Sequence, residues 1–289
     1  MVRPALDGPG IRLRAAELLA LREDIPARSR HRPATRRPGA LPARPAGAGM
    51  DLREIRAFAE GDDARRIDPA ATARTGAPHI RSFHEDRDDT LLLIADFRPS
   101  MLWGTGTALR SVHAARLLAK RGWQAAARGA SLAAISVDAT GLALVPSGAG
   151  AMQMSRISQM LAGRHDQALR DQALHDRAQA VQGEAPTLAE ALIRATRLAP
   201  PGGEVLVATG PDGIEAVDEP ALARLARRRR VRVALALDPV DRAPPSRALP
   251  IHAGPLSRFA RLRPLDPALL SQRLRVLNVG LEMLADDAG

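Results

Sequence analysis

The chain has 289 residues, of which 45% are hydrophobic and 26% charged, a balance typical of a globular protein. It contains no cysteine, which excludes disulfide bonds, thiolate catalysis and cysteine-ligated zinc. Its 42 basic residues against 32 acidic ones give a formal charge of +10, which favours acidic partners through long-range attraction.

Aromatic side chains make up only 2% of the sequence, with no tyrosine at all. Such a chain has too few rings for a base-stacking platform, so nucleic acid is disfavoured as a partner, although nucleic-acid binding stays an alternative. No run of about 18 apolar residues is present. The N-terminus also lacks the apolar stretch of a signal peptide. We therefore expect a cytoplasmic protein without a membrane span.

Four segments are expected along the chain. An amphipathic pattern predicts a helix over residues 11–24, and a stretch rich in Pro and Arg over 26–49 predicts a linker. A dense polar segment follows, which we expect to be small and β-rich, then a main domain and a helical tail. The predicted boundaries are 1–49, 50–89, 90–260 and 261–289.

The main domain alternates apolar runs with helical patterns. Strands are predicted at 90–95, 132–137, 141–145, 204–208 and 231–237, and helices at 108–127, within 151–182, and at 188–198 and 220–229. Because the strands are apolar on both faces, the pattern predicts an α/β fold with a mostly parallel central sheet and helices on both sides. Ligands of such sheets bind at the carboxyl ends of the strands, where Asp96, Thr209 and Asp238 are expected.

The first core strand ends in Asp96-Phe97-Arg98-Pro99-Ser100, which resembles the D-x-S-x-S metal motif of the von Willebrand factor type A fold. Asp96 and Ser100 match that motif, and Arg98 replaces its first serine. An arginine beside a divalent cation is electrostatically opposed and stays charged. We expect Arg98 either to bind a carboxylate of a partner protein directly or to pair with Asp96 or Asp212 inside the fold.

The remaining ligands of a type A metal site come from two later loops. Thr187 stands where the resemblance places a threonine, but Gly210 occupies the position of the distal aspartate, with Asp212 two residues later. We therefore expect a degenerate site without a cofactor, and keep Mg²⁺ on Asp96, Ser100 and Thr187 as an alternative. The predicted partner-binding residues are Asp96, Arg98, Ser100, Thr187 and Asp212.

The polar segment carries the motif R-x-F-x-x-G-D-D-x-R-x-I-D-x-x-x-T-A-R, by which the chain resembles the bacterial domain of unknown function 58 family. The matching residues are Arg56, Gly61, Asp62, Asp63, Arg65, Ile67, Asp68, Thr72, Ala73 and Arg74. The later Asp238-Pro239-Val240 resembles a further family element. Phe58 departs from a family tyrosine and Pro69 from a family tryptophan, and the proline removes a large packing group there.

The resemblance implies a type A-like fold and pairing with MoxR-type AAA+ ATPases in the assembly or maturation of other proteins. We therefore expect a non-enzymatic adaptor that contacts such an ATPase and an unknown client protein. An enzyme with an unrecognised site is an alternative, although the sequence contains no phosphate-binding loop, G-x-S-x-G or H-E-x-x-H motif. His79 and His84 lack a convincing metal spacing, and we expect them to be loop or strand residues.

Overall fold

The computed structural model describes residues 8, 10–25, 52–83, 89–178, 187–253, 256–261 and 264–284. The chain divides into two compact units, one made of residues 1–30 and 89–289 and the other of residues 31–88. The linker predicted at 26–49 and His84 lie outside the described residues. Among the described helices, none is both long and apolar enough to cross a membrane.

The larger unit is organised around a six-stranded sheet. Its strands, numbered with those of the whole chain, are β3 (Thr90–Asp96), β4 (Ser131–Asp138), β5 (Gly141–Ala149), β6 (Glu204–Thr209), β7 (Arg230–Ala236) and β10 (Val279–Leu284). The order across the sheet is β10-β7-β6-β3-β4-β5, and only the β4–β5 pair is antiparallel. The predicted α/β class with a mostly parallel central sheet and helices on both faces is confirmed.

Helices cover both faces of this sheet. They are α1 (Ala15–Ala20), α3 (Arg110–Ala127), α4 (Gly150–Ala178), α5 (Leu188–Leu198), α6 (Glu219–Ala226), the short α7 (Pro239–Arg242) and α8 (Pro267–Val276). Apolar residues of α1, α3 and α4 pack on one face, and those of α5, α6 and α8 on the other. Burial of β3 on both faces explains why its sequence is a continuous apolar run.

Described segments near each end of the chain pack into the larger unit, which the sequence did not indicate. At the N-terminal end, Leu18 is fully buried and its carbonyl accepts a hydrogen bond of 2.9 Å from the indole of Trp123. At the C-terminal end, the segment expected to be a helical tail contains α8 followed by β10, which pairs with β7 at the edge of the sheet. A separate antiparallel ribbon is formed by β8 (Leu249–Ala253) and β9 (Leu256–Ala260).

The smaller unit contains the family motif on an antiparallel pair of strands and a helix. The elements are β1 (Leu52–Ala57), a 3₁₀ turn at Ala64–Arg66, α2 (Pro69–Thr75) and β2 (His79–Phe83). The segment expected to be β-rich therefore also contains a helix. Pro69 occupies the first turn of α2 and Asp68 caps it, so the proline in the family's tryptophan position serves as a helix start.

Candidate functional site

The carboxyl end of β3 lies at the point where the strand order reverses. The chain leaves β3 toward β4 on one side and later returns to β6 on the other. In open α/β sheets this crevice is the usual place for ligands. Two loops border it, residues 97–109 after β3 and residues 210–218 after β6, and their surface is called here the loop surface.

Asp96 is completely buried at this point and is surrounded by donors. Its Oδ1 accepts hydrogen bonds from the backbone N–H of Arg98 at 3.0 Å and from the Arg98 Nε at 2.9 Å. Its Oδ2 accepts from Arg98 Nη2 at 2.8 Å and from the Thr209 hydroxyl at 2.6 Å. The carboxylate of Asp96 is thus neutralised and hydrogen-bonded entirely from within the fold.

The Arg98 guanidinium connects the two loops. Besides its two-pronged contact with Asp96, it donates from Nη2 to the carbonyl of Gly213 at 2.6 Å. Burial opposes the charge on Arg98, but hydrogen bonding and attraction by Asp96, helped by Asp218 and Glu215, outweigh it and raise the pKa of Arg98. The sequence left open whether Arg98 binds a partner's carboxylate or pairs inside the fold. In the structure Arg98 pairs with Asp96 inside the fold.

These residues do not fit a divalent cation. Both oxygens of Asp96 already accept hydrogen bonds, and a charged guanidinium occupies the space next to them. A side chain at Gly210 would begin 3.1 Å from the sulfur of Met101, so the expected distal carboxylate has little room there. Among the described residues, no group of three His, Asp or Glu side chains converges in a way that could hold a metal ion.

The other predicted site residues make no described hydrogen bond to Asp96. Ser100 and Asp212 are exposed on the loop surface, and no hydrogen bond links either side chain to Asp96. Thr187 is the first residue before α5 and its side chain does not cap that helix. The group that does reach Asp96 is the hydroxyl of Thr209, a residue that the sequence placed after a strand without assigning it to the site.

Asp218, a residue that the sequence analysis did not single out, braces the second loop. It is fully buried, and its carboxylate accepts from the backbone N–H of Ala189 at 2.7 Å and of Glu215 at 2.9 Å. It therefore joins the 210–218 loop to the start of α5. The outer side of the same loop exposes Asp212 and Val217, the latter with 56% of its surface accessible.

A second polar cluster holds the loop after β3. Asp238, two residues after β7, accepts a hydrogen bond of 2.5 Å from the backbone N–H of Thr105 and another from the Thr105 hydroxyl. Burial alone would raise the pKa of Asp238, but the hydrogen bonds from Thr105 lower it below its ordinary value. A side chain at Gly104 would lie 2.8 Å from the carbonyl oxygen of Ala108, so this tight loop requires glycine.

The same cluster presents Trp103 at the surface. Arg110 is nearly buried, and its guanidinium lies 4.0 Å from the centre of the Trp103 ring. Arg110 also contacts both carboxylate oxygens of Asp241 at 2.5 Å. Trp103 remains 39% exposed although Arg110 packs against its ring, so it presents an accessible aromatic group on the loop surface.

The family motif has a structural explanation within the smaller unit. Arg56 forms a two-pronged pair with Asp62, at 2.8 and 2.6 Å, and this pairing holds the pKa of Asp62 below its ordinary value. Gly61 precedes it with φ +97°, a conformation that favours glycine. These three residues therefore fix the turn after β1.

The second half of the motif caps two short elements. Asp63 caps the 3₁₀ turn, and the nearly buried Asp68 caps α2 by accepting from the backbone N–H of Ala71 at 2.7 Å. That bond, together with the ion pair to Arg81, lowers the pKa of Asp68. Of the other motif residues, Arg65 and Arg74 have exposed side chains.

The comparison with known families agrees with this architecture. A family model described as "Protein of unknown function DUF58" matches residues 54–247, about two thirds of the chain. The chain belongs to this family. The match includes the motif around Asp62 and extends through the six-stranded sheet as far as β7.

Related proteins and structures resemble parts of the chain. Uncharacterized protein Mb1516 of Mycobacterium bovis and Uncharacterized protein Rv1480 of Mycobacterium tuberculosis are each 42% identical over 59 residues. The match covers 20% of this chain and 19% of theirs. Two solved structures align with 69% of this chain, and each superposition has a TM-score of 0.42. They are the conserved hypothetical protein BatB of Bacteroides thetaiotaomicron, at 15% identity over 91% of its length, and an aerotolerance-related membrane protein of Bacteroides fragilis, at 16% over 92%.

Proposed function

We propose that this chain is a non-enzymatic, cytoplasmic adaptor that binds another protein through its loop surface and needs no metal ion to do so. Its partner is a MoxR-type AAA+ ATPase, which supplies the energy for assembling or maturing a client protein. The observation that supports binding at this place is an exposed aromatic group, packed against an arginine, at the switch point of the sheet. Trp103 has that position, and Arg110 holds its ring.

The loops are well prepared for a protein partner. The buried Asp96–Arg98 pair ties the base of one loop to Gly213 in the other, and Asp218 ties the second loop to α5. Because these hydrogen bonds restrain the loops before a partner arrives, binding is expected to cost less conformational entropy than the ordering of unrestrained segments would. Tryptophan is also the side chain most enriched among the residues that dominate interface energies.

Replacing Trp103 by Ala is expected to weaken binding to the ATPase by about 2 kcal/mol, roughly thirtyfold in Kd. The measurement is biolayer interferometry between the full chain and a purified MoxR-type ATPase from the same organism, in ATP and in ADP. The matched control is Leu269→Ala, because Leu269 is 65% exposed but lies on α8, outside the loop surface. Equal affinities of the two variants would contradict a role of the loop surface.

Metal independence has a separate test. The Arg98 guanidinium already neutralises Asp96, so we expect no binding heat when Mg²⁺ is titrated into the wild-type chain by calorimetry. We also expect EDTA to leave the affinity for the ATPase unchanged. Loss of binding in EDTA, restored by Mg²⁺, would show that a metal takes part.

The nucleic-acid alternative makes an opposite prediction about salt. A chain that contacts several phosphates loses about three orders of magnitude or more in affinity between 50 and 200 mM salt. Fluorescence anisotropy with a labelled oligonucleotide over that range would show such a slope if the exposed arginines bound nucleic acid. We expect weak binding to the oligonucleotide and a much shallower salt dependence for the ATPase.

A further inference from the structure

Within the part of the chain that the structure describes, the outer strand β5 leaves one edge of the sheet unpaired. It pairs with β4 in antiparallel fashion from Ser131↔Ala149 to Asp138↔Gly141, and no other described strand pairs with it. An edge strand presents unpaired backbone N–H and C=O groups that can accept another strand. Pro146 has no N–H to donate, so the stretch suited to such pairing is Gly141–Val145.

A cleft lies beside this edge, on the face of the sheet that carries α5. It has a volume of about 170 Å³ and is lined by Ile135, Leu142, Leu144, Glu190 and Arg194. Ile135 is directly opposite Leu144 in the register, so both side chains point to this face. Leu144 is 44% exposed. The cleft thus offers apolar surface and enough room for one aliphatic side chain.

Two side chains of opposite charge border the cleft, and they form no ion pair with each other. Glu190 and Arg194 lie one turn apart on α5, and both are exposed. Neither side chain forms an ion pair or hydrogen bond with any described residue of the chain. Ile193, between them in sequence, is 50% exposed. The flank of α5 next to the open edge therefore combines an acid, a base and an apolar residue.

We propose that a second copy of this chain binds this edge. In the dimer, β5 pairs antiparallel with the partner's β5 about a two-fold axis perpendicular to the sheet, so the sheet continues across the interface. The axis places both α5 helices on the same face and runs them antiparallel. Glu190 then faces the partner's Arg194, and Arg194 faces the partner's Glu190. Leu142 and Leu144 of both copies meet across the seam.

The presence of both charges favours a second copy over an unrelated partner. A two-fold interface brings the same patch together with itself, so it must be self-complementary. A patch that holds one acid and one base four residues apart satisfies this condition, whereas an acidic or a basic peptide would match only one of the two charges. The proposal concerns the edge of the sheet and is independent of binding at the loop surface.

Charge reversal tests the pairing directly. Sedimentation velocity over a concentration series is expected to show the full chain shifting from 30.8 kDa to twice that mass. Glu190→Arg alone and Arg194→Glu alone each place like charges opposite one another, and each is expected to raise the dimer Kd by about tenfold or more. The double variant E190R/R194E restores opposite charges and is expected to return the Kd to within about threefold of wild type. Arg227→Glu, an exposed arginine at the end of α6, is the matched control and is expected to leave the Kd unchanged.

Because the chain has no cysteine, crosslinking through a single introduced thiol gives a second readout that does not depend on charge. Ala143→Cys introduces the only thiol of the chain, close to the expected axis, and a short bis-maleimide is expected to link two such chains. Leu269→Cys, on α8 at another part of the surface, is expected to remain uncrosslinked under the same conditions. Circular dichroism confirms that each variant is folded. A wild-type chain that stays monomeric, or a dimer indifferent to both single reversals, would overturn the proposal.

Discussion

Replacement of Arg98 by Ala is expected to lower the free energy of unfolding by about 3–5 kcal/mol. The variant leaves the Asp96 carboxylate, which is completely buried, with hydrogen bonds but without its counter-charge. It also removes the donor to the Gly213 carbonyl, so the two loops lose their direct link. Urea denaturation followed by circular dichroism measures the loss. A decrease below about 1 kcal/mol would mean that the pair contributes little.

Two further variants distinguish the contribution of the Asp96–Arg98 ion pair from the effect of removing a large side chain. In Asp96→Ala/Arg98→Ala no buried charge is left alone, so its destabilisation is expected to be smaller than the sum of the single variants by about 2 kcal/mol. Arg98→Lys keeps the charge but cannot reproduce the two-pronged contact, and is expected to fall between wild type and Arg98→Ala. Arg275→Ala, at an exposed position on α8, is expected to stay within about 0.5 kcal/mol of wild type.

The central fold could be predicted from the sequence because its signals are strong. Strands such as β3 are continuous apolar runs, and helices such as α3 and α5 have clear apolar stripes. The strand β10 was missed, because Val279–Leu284 is a short edge strand whose mixture of apolar and polar residues also suits the end of a helix. Only its pairing with β7 determines its conformation.

A local signal that the sequence does contain is the pair Asp-Pro. At Asp68-Pro69, Asp238-Pro239 and Asp266-Pro267 the aspartate caps a helix and the proline occupies its first turn. The proline has no N–H to leave unpaired there, and its fixed φ suits the helix. Interpreting Pro69 only as a lost tryptophan overlooked this role. The same signal predicts the start of α8 in a tail that was otherwise only expected to be helical.

The candidate site could be located from the sequence, but its contacts could not. A carboxylate after a buried strand indicates the switch point, and Asp96 is there. Sequence spacing cannot decide whether Arg98 points outward or folds back, because that depends on donors and acceptors supplied by Thr209 and Gly213, more than 100 residues away. Whether Thr187 belongs to the site cannot be decided from sequence spacing for the same reason, since its position relative to Asp96 is determined by how α5 packs.

A buried histidine lies behind the first loop, and its burial predicts that the stability of the fold depends on pH. His165 of α4 is fully buried, with Ser111 Oγ 2.9 Å from its Nε2 and the ring of Phe97 packed edge-on at 5.3 Å between centres. Burial lowers the pKa of His165 from 6.5 to about 4, against a weaker opposing attraction by Asp166. Protonation would therefore place a charge in the core next to the residue that follows Asp96.

The sign of the effect follows from the two pKa values. The unfolded chain binds the proton below about 6.5 and the folded chain only below about 4, so stability is full above pH 6.5 and is lost as the pH falls toward 4. At about 1.4 kcal/mol per pKa unit, the expected loss from this residue is about 3 kcal/mol. The carboxylates with lowered pKa, Asp62, Asp68 and Asp238, contribute their loss mainly below pH 3.8, outside this window.

Urea denaturation at pH 7, 6, 5 and 4 is expected to show this loss in the wild type and to show much less of it in His165→Gln, whose side chain does not titrate. His165→Gln also removes ring packing against Phe97, so the comparison rests on the slope with pH and not on the stability at pH 7. His79→Gln, in the smaller unit, where the ring lies 3.1 Å from the Thr75 hydroxyl, is the matched control and is expected to keep the wild-type slope. If His165→Gln and wild type lost stability in parallel between pH 6.5 and 4, the buried ring would not be the source.

A confirmed slope would also predict that the affinity of the loop surface for its partner falls between pH 6.5 and 4. The reason is that Phe97 contacts His165 and follows Asp96, whose pair with Arg98 links both loops.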